Sequence, residues 1–244
     1  MDRPTRFAAQ AALVAMAGLG GLELVSGAPL PGLHPFAAWP AWAVRGSGAS
    51  LLLLAVTSIA WRPAAWALAA HWTLALALIG GALLSSATNP LAWVPFSQAA
   101  LFAAVAVRCA APSAAPALRL AFGAMLVLFG AIHLTQRELI ASLIPAWVPE
   151  AELWPWLTGG VQVAAGLLCL SRRRAWLGAV AVAAMYASWL VVVHAPRLLA
   201  QPGSVFEWTF ALTAAALAAI ALVVGAESAA FSRAGAPTRP PDQQ

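Results

Sequence analysis

Apolar stretches of about twenty residues, separated by short turns rich in Pro, Gly, Ser and Arg, run through most of the 244-residue chain. A helix of about that length crosses the hydrocarbon core of a bilayer. The stretches lack the strict alternation of apolar and polar residues that a membrane-spanning strand requires. The pattern therefore predicts eight transmembrane helices, which cover residues 7–26, 42–60, 64–84, 91–107, 118–135, 156–170, 175–194 and 205–224.

The composition indicates the same fold class. Hydrophobic residues make up 62% of the chain and charged residues only 9%, which is more apolar surface than a soluble domain of this length can bury. We therefore predict an all-α integral membrane protein with membrane lipid as its general partner. All 13 basic residues are arginines. They are scattered at predicted helix ends and form no basic face, so no nucleic-acid partner is expected.

The arginines also predict a topology. Eight spans place both termini on one side, and ten arginines fall on that side, whereas Arg45, Arg137 and Arg197 fall on the other. Because basic residues concentrate in cytoplasmic loops, we expect both termini to be cytoplasmic. The sequence VSGA at 25–28 resembles the cleavage region of a signal peptide. We expect the first helix to be retained, because it takes part in an internal repeat.

The repeat consists of two parallel four-helix copies, offset by about 110 residues. The matched pairs are Gly20 with Gly130, Pro35 with Pro145, Arg62 with Arg172, Trp66 with Trp176, and Phe96 with Phe206. Each copy has an even number of spans, so both copies have the same orientation. We predict a degenerate first repeat over 1–110, a linker over 111–118, a second repeat over 119–226, and a disordered, Pro-rich cytoplasmic tail over 227–244.

Polar residues within the second repeat indicate a candidate site. Such residues are costly inside lipid and often mark function. They should lie at similar depth on the extracytoplasmic side and line one cavity. We predict catalytic roles for His133, His194 and Glu207 and ligand-binding roles for Thr158, Gln162, Tyr186 and Arg197. At the repeat offset the first copy has Glu23, Leu52, Leu76, Leu84 and Ser97 in place of His133, Gln162, Tyr186, His194 and Glu207.

Each of these residues also has a structural interpretation. His133 can bond a backbone carbonyl, Thr158 and Gln162 can join neighbouring helices, and Glu207 can stabilise a helix N-terminus. The separations of His133, His194 and Glu207 match no metal motif, so no metal site is predicted. The chain contains no haem-attachment or dinucleotide-binding motif, so no cofactor is evident from motifs.

Four short motifs resemble the DoxX-like membrane proteins. They are GAIH at 130–133, IPAWVP at 144–149, TG with Gln162 at 158–162, and VHAP at 193–196. The resemblance covers about residues 119–224, and Gln162 stands where the family usually has an acidic residue. It implies a bacterial inner-membrane protein built from four-helix units. Some relatives are linked to thiosulfate:quinone oxidoreduction or to membrane redox complexes, which implies a quinone and a redox partner protein.

Three functional hypotheses follow. The first is a membrane redox subunit that binds a quinone or a lipid-like head group at the outer helix ends, beneath a loop over 144–149 that acts as a lid or an interfacial turn. A degenerate counterpart of this loop is expected over 35–40. The second is a transporter for a small solute, which the parallel repeat allows. The third is a non-catalytic membrane scaffold, which the small residues on the seventh predicted helix allow.

Overall fold

The structure, a computed structural model, describes residues 1–33 and 39–234, with side chains up to residue 232. Within these ranges every regular element is helical. The α-helices are α1 Arg3–Ser26, α2 Ala41–Ser58, α3 Arg62–Leu84, α4 Trp93–Ala110, α5 Ala115–Thr135, α6 Arg137–Ser142, α7 Leu153–Leu170, α8 Ala175–Trp189, α9 Ala195–Ala200 and α10 Val205–Ala234. Short 3₁₀ turns precede α4 and α5, and a π-helical segment, Leu190–His194, joins α8 to α9.

Seven helical segments of the described chain are long and apolar enough to cross a membrane. They contain α1, α3, α4, α5, α7, α8 with α9, and α10. The chain is therefore an all-α protein with the character of a multi-pass membrane protein. The predicted span at 42–60 forms α2, which is not among the seven. Its first half contains Arg45 together with several Gly and Ser residues, and these lower its hydropathy.

The helices pack as two similar groups. In the first group α1 lies against α2 and α3 lies against α4, and in the second α5 lies against α7 and α8 lies against α10. The groups meet where α1 contacts α10 and where α4 contacts α5. The core between them is apolar, and Met16, Trp72, Phe102 and Phe122 are fully buried in it.

The closest helix crossings occur at glycines. A Cβ atom built on Gly20 of α1 would lie 2.7 Å from the carbonyl oxygen of Gly48 on α2. One built on Gly130 of α5 would lie 2.6 Å from the carbonyl oxygen of Gly159 on α7. Only glycine permits backbones to approach this closely. The predicted partners Gly20 and Gly130 thus occupy the same place in two separate crossings.

These crossings refine the register between the halves. Gly20 and Gly130 differ by 110 positions, whereas Gly48 and Gly159 differ by 111. At the offset of 111, Gln162 corresponds to Leu51, whereas the offset of 110 gives the expected Leu52. Pro35, the predicted partner of Pro145, lies outside the described residues. So do residues 35–38 of the loop expected over 35–40.

Several predicted boundaries were wrong. The expected linker over 111–118 is only four residues long, because Pro116 lies in the first turn of α5, where a missing N–H is tolerated. Helices α6 and α9 form in segments expected to be loop and turn. The seventh predicted helix changes to π geometry at Leu190.

Part of the expected disordered tail, residues 227–234, is helical, because α10 continues to Ala234. The Glu227 carboxylate accepts a hydrogen bond from Arg108 Nε at 2.6 Å and forms an ion pair with the same guanidinium. Both side chains are largely buried, so removal of either would leave an unpaired charge. This pair joins the part of α10 beyond the predicted apolar stretch to α4. The rest of the predicted tail, 235–244, lies outside the described residues.

The glycine crossing of α5 and α7 makes a stability prediction. A Gly130→Ala substitution should destabilise the protein by about 1–3 kcal/mol, because the new methyl group would overlap backbone and side-chain atoms of α7. Gly160→Ala is the matched control, since a Cβ there meets nothing within 4 Å. The control should unfold at or above the wild-type temperature, because Ala favours helix. Thermal unfolding in detergent measures both, and equal midpoints would contradict the close crossing.

Candidate functional site

A cavity of about 440 Å³ lies at one end of the bundle, where α5 and α8 end and α4 and α10 begin. This volume is within the range of about 300–1,000 Å³ found for small-molecule sites. Most of its walls are apolar, with Phe129, Trp189, Phe206 and Phe210 as the large aromatic side chains. The polar residues that line it are Gln98, His133, Gln162, Tyr186, His194, Arg197 and Thr213.

A local irregularity of the backbone places His194 in this cavity. Pro196 has no N–H to donate to the carbonyl of Val192, and its ring would clash with that carbonyl in a regular α-helix. The chain widens to a π-helical turn over Leu190–His194, in which Ala195 N–H bonds the carbonyl of Leu190. Such turns often occur at functional sites. His194 is buried at the end of this turn.

Four polar atoms in the cavity wall have no hydrogen-bond partner in the described structure. They are Gln98 Oε1, Gln162 Oε1, Tyr186 OH and His194 Nδ1. Each parent side chain is at least nine-tenths buried, with exposed fractions of 7%, 1%, 4% and 9% respectively. A buried polar group without a partner costs about 1–3 kcal/mol. The four atoms belong to residues that line the cavity and have almost no accessible surface of their own.

His133 is held differently. Its Nδ1 lies 2.8 Å from the carbonyl oxygen of Phe129, one turn earlier on α5. A carbonyl can only accept, so Nδ1 donates, and the neutral ring then presents a lone pair at Nε2. The ring lies 6.0 Å from that of Trp189, measured between centroids. The carbonyl bond expected as a structural alternative is present, and it leaves one ring nitrogen for the cavity.

Arg197 connects the cavity wall to the segment that covers it. Its Nη2 donates to the carbonyl of Leu143 at 2.6 Å, and its Nη1 lies 3.8 Å from Glu207 Oε2. The residues from Leu139 to Ile144 that line the cavity belong to α6 and the turn after it. Arg137, at the start of α6, lies over the ring of Trp156 on α7 at 4.6 Å. Two arginines therefore fix this cover at opposite ends.

The cover differs from the loop that was predicted. The expected lid over 144–149 contributes Ile144 to the cavity, whereas the remaining covering side chains come from Leu139, Ile140 and Leu143. The rim is also apolar. Leu91, Leu139, Leu143 and Phe206 line the cavity and still have exposed fractions of 36%, 43%, 38% and 42%. The opening is therefore suited to a molecule that arrives from an apolar phase.

Two predicted site residues do not line the cavity. Thr158 is buried on α7, but its hydroxyl donates to the carbonyl of Trp154 at 2.7 Å, one turn earlier on the same helix. Glu207 lies in the first turn of α10, where its N–H bonds Ser204 Oγ at 3.3 Å. It contacts the site through Arg197. The other five predicted residues, His133, Gln162, Tyr186, His194 and Arg197, all line the one cavity.

Sequence analysis missed Gln98 and Thr213. Gln98 is a lone carboxamide within the apolar helix α4, and this signal was visible in the sequence. The site was expected mainly in the second half, with Glu23 and Arg45 as possible contributors from the first, whereas it is α4 of the first half that packs against α5 and reaches the cavity. The site therefore draws on both halves of the chain.

The chain was compared with known proteins by sequence and by structure. No protein-family model, curated protein or solved structure matches it. Within the described residues, no group of three His, Cys, Asp or Glu side chains is placed to hold a metal ion. The description of the site therefore depends on the geometry of this cavity.

Arg197 should hold the α6 cover in place. In an Arg197→Gln variant the carbonyl of Leu143 and the carboxylate of Glu207 lose their cationic partner. Hydrogen exchange of backbone amides in 137–146 should become about tenfold faster, the size expected for one charge-assisted hydrogen bond. Arg174→Gln, at the opposite end of the bundle, is the control and should leave this segment unchanged. Equal exchange in both variants would show that Arg197 does not anchor the cover.

Proposed function

We propose that this protein binds a quinone, or a lipid with a similar polar head, in the cavity at the outer helix ends, as a subunit of a membrane redox system. The observation that carries this proposal is an otherwise apolar cavity whose wall contains a few polar side chains, among them Gln98, His133 and Gln162. An amphiphilic ring has oxygen atoms for these groups and an apolar body for the aromatic and aliphatic walls. The apolar rim supports a ligand that arrives from lipid, whereas a water-soluble solute would favour a polar opening.

The polar groups suit a quinone head. The carboxamides of Gln98 and Gln162 each have donors and an acceptor, and Tyr186 OH can donate to a ring oxygen. The imidazoles of His133 and His194 add ring nitrogens to the polar part of the wall. A bound quinone would supply two-electron chemistry. The chain has no redox motif of its own, so the proposal includes a partner protein that exchanges electrons with the ligand.

We also propose that the chain is a DoxX-like protein of a bacterial inner membrane, with eight spans in two tandem parallel four-helix repeats. The paired glycine crossings support the repeat, as do the similar contacts of α1 with α2 and of α5 with α7. In this arrangement α2 is the additional span, since it packs along α1 over its length. The roles predicted for His133, His194 and Glu207 remain predictions. Glu207 is now assigned to support Arg197.

A Gln162→Leu substitution should weaken ligand binding but leave the stability of the protein equal or higher. Gln162→Leu removes a buried carboxamide without a partner, so the thermal unfolding temperature should stay equal or rise. The same change should weaken binding of a short-chain benzoquinone about threefold to tenfold, measured by calorimetric titration in nanodiscs. Gln201→Leu, an exposed position outside the cavity, is the matched control.

Other outcomes would favour the alternatives. Destabilisation by Gln162→Leu with unchanged binding would indicate a purely structural carboxamide. Saturable solute uptake into proteoliposomes, lost in the same variant, would favour a transporter. A stable co-purifying protein, together with no quinone binding, would favour the scaffold.

The proposed orientation makes a separate prediction. Alkaline phosphatase, which is active only outside the cytoplasm, should be active when fused after Arg197, near the cavity end. It should be inactive when fused after Arg173, between α7 and α8. The reverse pattern would place the cavity at the cytoplasmic face and would contradict the proposed location of both termini.

A further inference from the structure

His133 has a fixed hydrogen-bonding polarity. The carbonyl of Phe129 requires a proton on His133 Nδ1, at a distance of 2.8 Å. The neutral ring carries only one N–H, so Nε2 is an acceptor and has no donor capacity. This differs from the carboxamides of Gln98 and Gln162, each of which can turn either its oxygen or its NH₂ group towards a ligand.

Nε2 is also the ring atom that is available to a ligand. No described residue hydrogen-bonds it, and it is not among the polar atoms sealed inside the protein. His133 lines the cavity, with Trp189 beside its ring. The glycine crossing keeps the residue in place, because a Cβ on Gly159 would lie 3.0 Å from the Cβ of His133. The cavity therefore contains a positioned acceptor, which is complementary to a ligand that donates.

We propose that the pocket selects a lipid-soluble molecule with a free hydroxyl group, which donates to His133 Nε2. This inference rests on the proposed function and specifies which form of the ligand is preferred. For a quinone, it is the reduced hydroquinone, since the oxidised ring has only acceptor oxygens opposite Nε2. A diacylglycerol offers the same hydroxyl chemistry without a ring. The aromatic side chains of Phe129, Phe206 and Phe210 favour the ring.

The test compares three ligands that differ only at the ring oxygens. A short-chain benzohydroquinone, its oxidised quinone and its dimethyl ether are titrated anaerobically against the purified full-length protein in nanodiscs, with dioleoylglycerol as a fourth ligand. Wild-type protein should bind the hydroquinone about threefold to tenfold more tightly than the quinone or the ether, the effect of one net hydrogen bond. Dioleoylglycerol should bind more weakly than the hydroquinone.

Two variants test whether His133 causes the preference for the hydroquinone. His133→Phe keeps an aromatic ring beside Trp189 but removes the acceptor, so all three ring ligands should bind with similar affinity. His71→Phe changes a histidine on α3 outside the cavity and should keep the wild-type preference. Thermal unfolding of each variant shows whether it is folded. If His133→Phe does not fold, His133→Gln should fold and lose the preference for the hydroquinone over the quinone, because its carboxamide can donate to a quinone oxygen as well as accept.

The outcomes separate this inference from the proposed function. Equal wild-type binding of hydroquinone and dimethyl ether, or a preference that persists in His133→Phe, overturns the inference that the pocket selects a hydroxyl donor (the hydroxyl rule). In either case quinone binding itself still supports the proposed function. Tighter binding of dioleoylglycerol, lost in His133→Phe, supports the hydroxyl rule with a glycerolipid as its source. No binding of any of the four overturns the proposed function, and this inference fails with it.

Discussion

The backbone contact between paired helices is the constraint on which the rest of the bundle depends. Where Gly20 meets Gly48, and where Gly130 meets Gly159, the two helices leave no space for a side chain. Close approach without side chains favours packing by van der Waals contact, which drives helix association in lipid. Each crossing also fixes which residue of the first helix lies about one turn beyond its glycine. That place is occupied by Glu23 in the first half and by His133 in the second.

The helical spans could be predicted from sequence because the length of an apolar stretch is set by the membrane. The errors occurred where a second effect competed with hydropathy. Proline at 116 resembled a helix breaker, yet proline is favoured in the first turn of a helix. Helices α6 and α9 have only six residues each. Arg197 of α9 bonds the turn after α6, and Arg137 of α6 lies over Trp156 of α7. Local periodicity cannot reveal such tertiary support.

The candidate site was predictable to the extent that a polar side chain in an apolar helix needs a partner. Thr158 shows where this rule fails, because a threonine hydroxyl can bond a carbonyl of its own helix. Glutamine and tyrosine at Gln162 and Tyr186 do not find such a bond here, and they face the cavity. To predict Gln98 as a site residue, one would have to know which helix of the first half approaches α5. That contact is a property of the tertiary fold.

The cost of burying polar groups without partners also bears on whether the cavity is a binding pocket or a packing defect. A bundle selected only for stability would fill such positions with aliphatic side chains, as the fully buried Leu51 does where α2 crosses α1. Each unpartnered polar group in the second half lowers stability by about 1–3 kcal/mol. A scaffold gains nothing from this loss. In the proposed function, a ligand with polar atoms at one end and an apolar body would meet the polar side chains of this wall, and the apolar rim suits such a molecule.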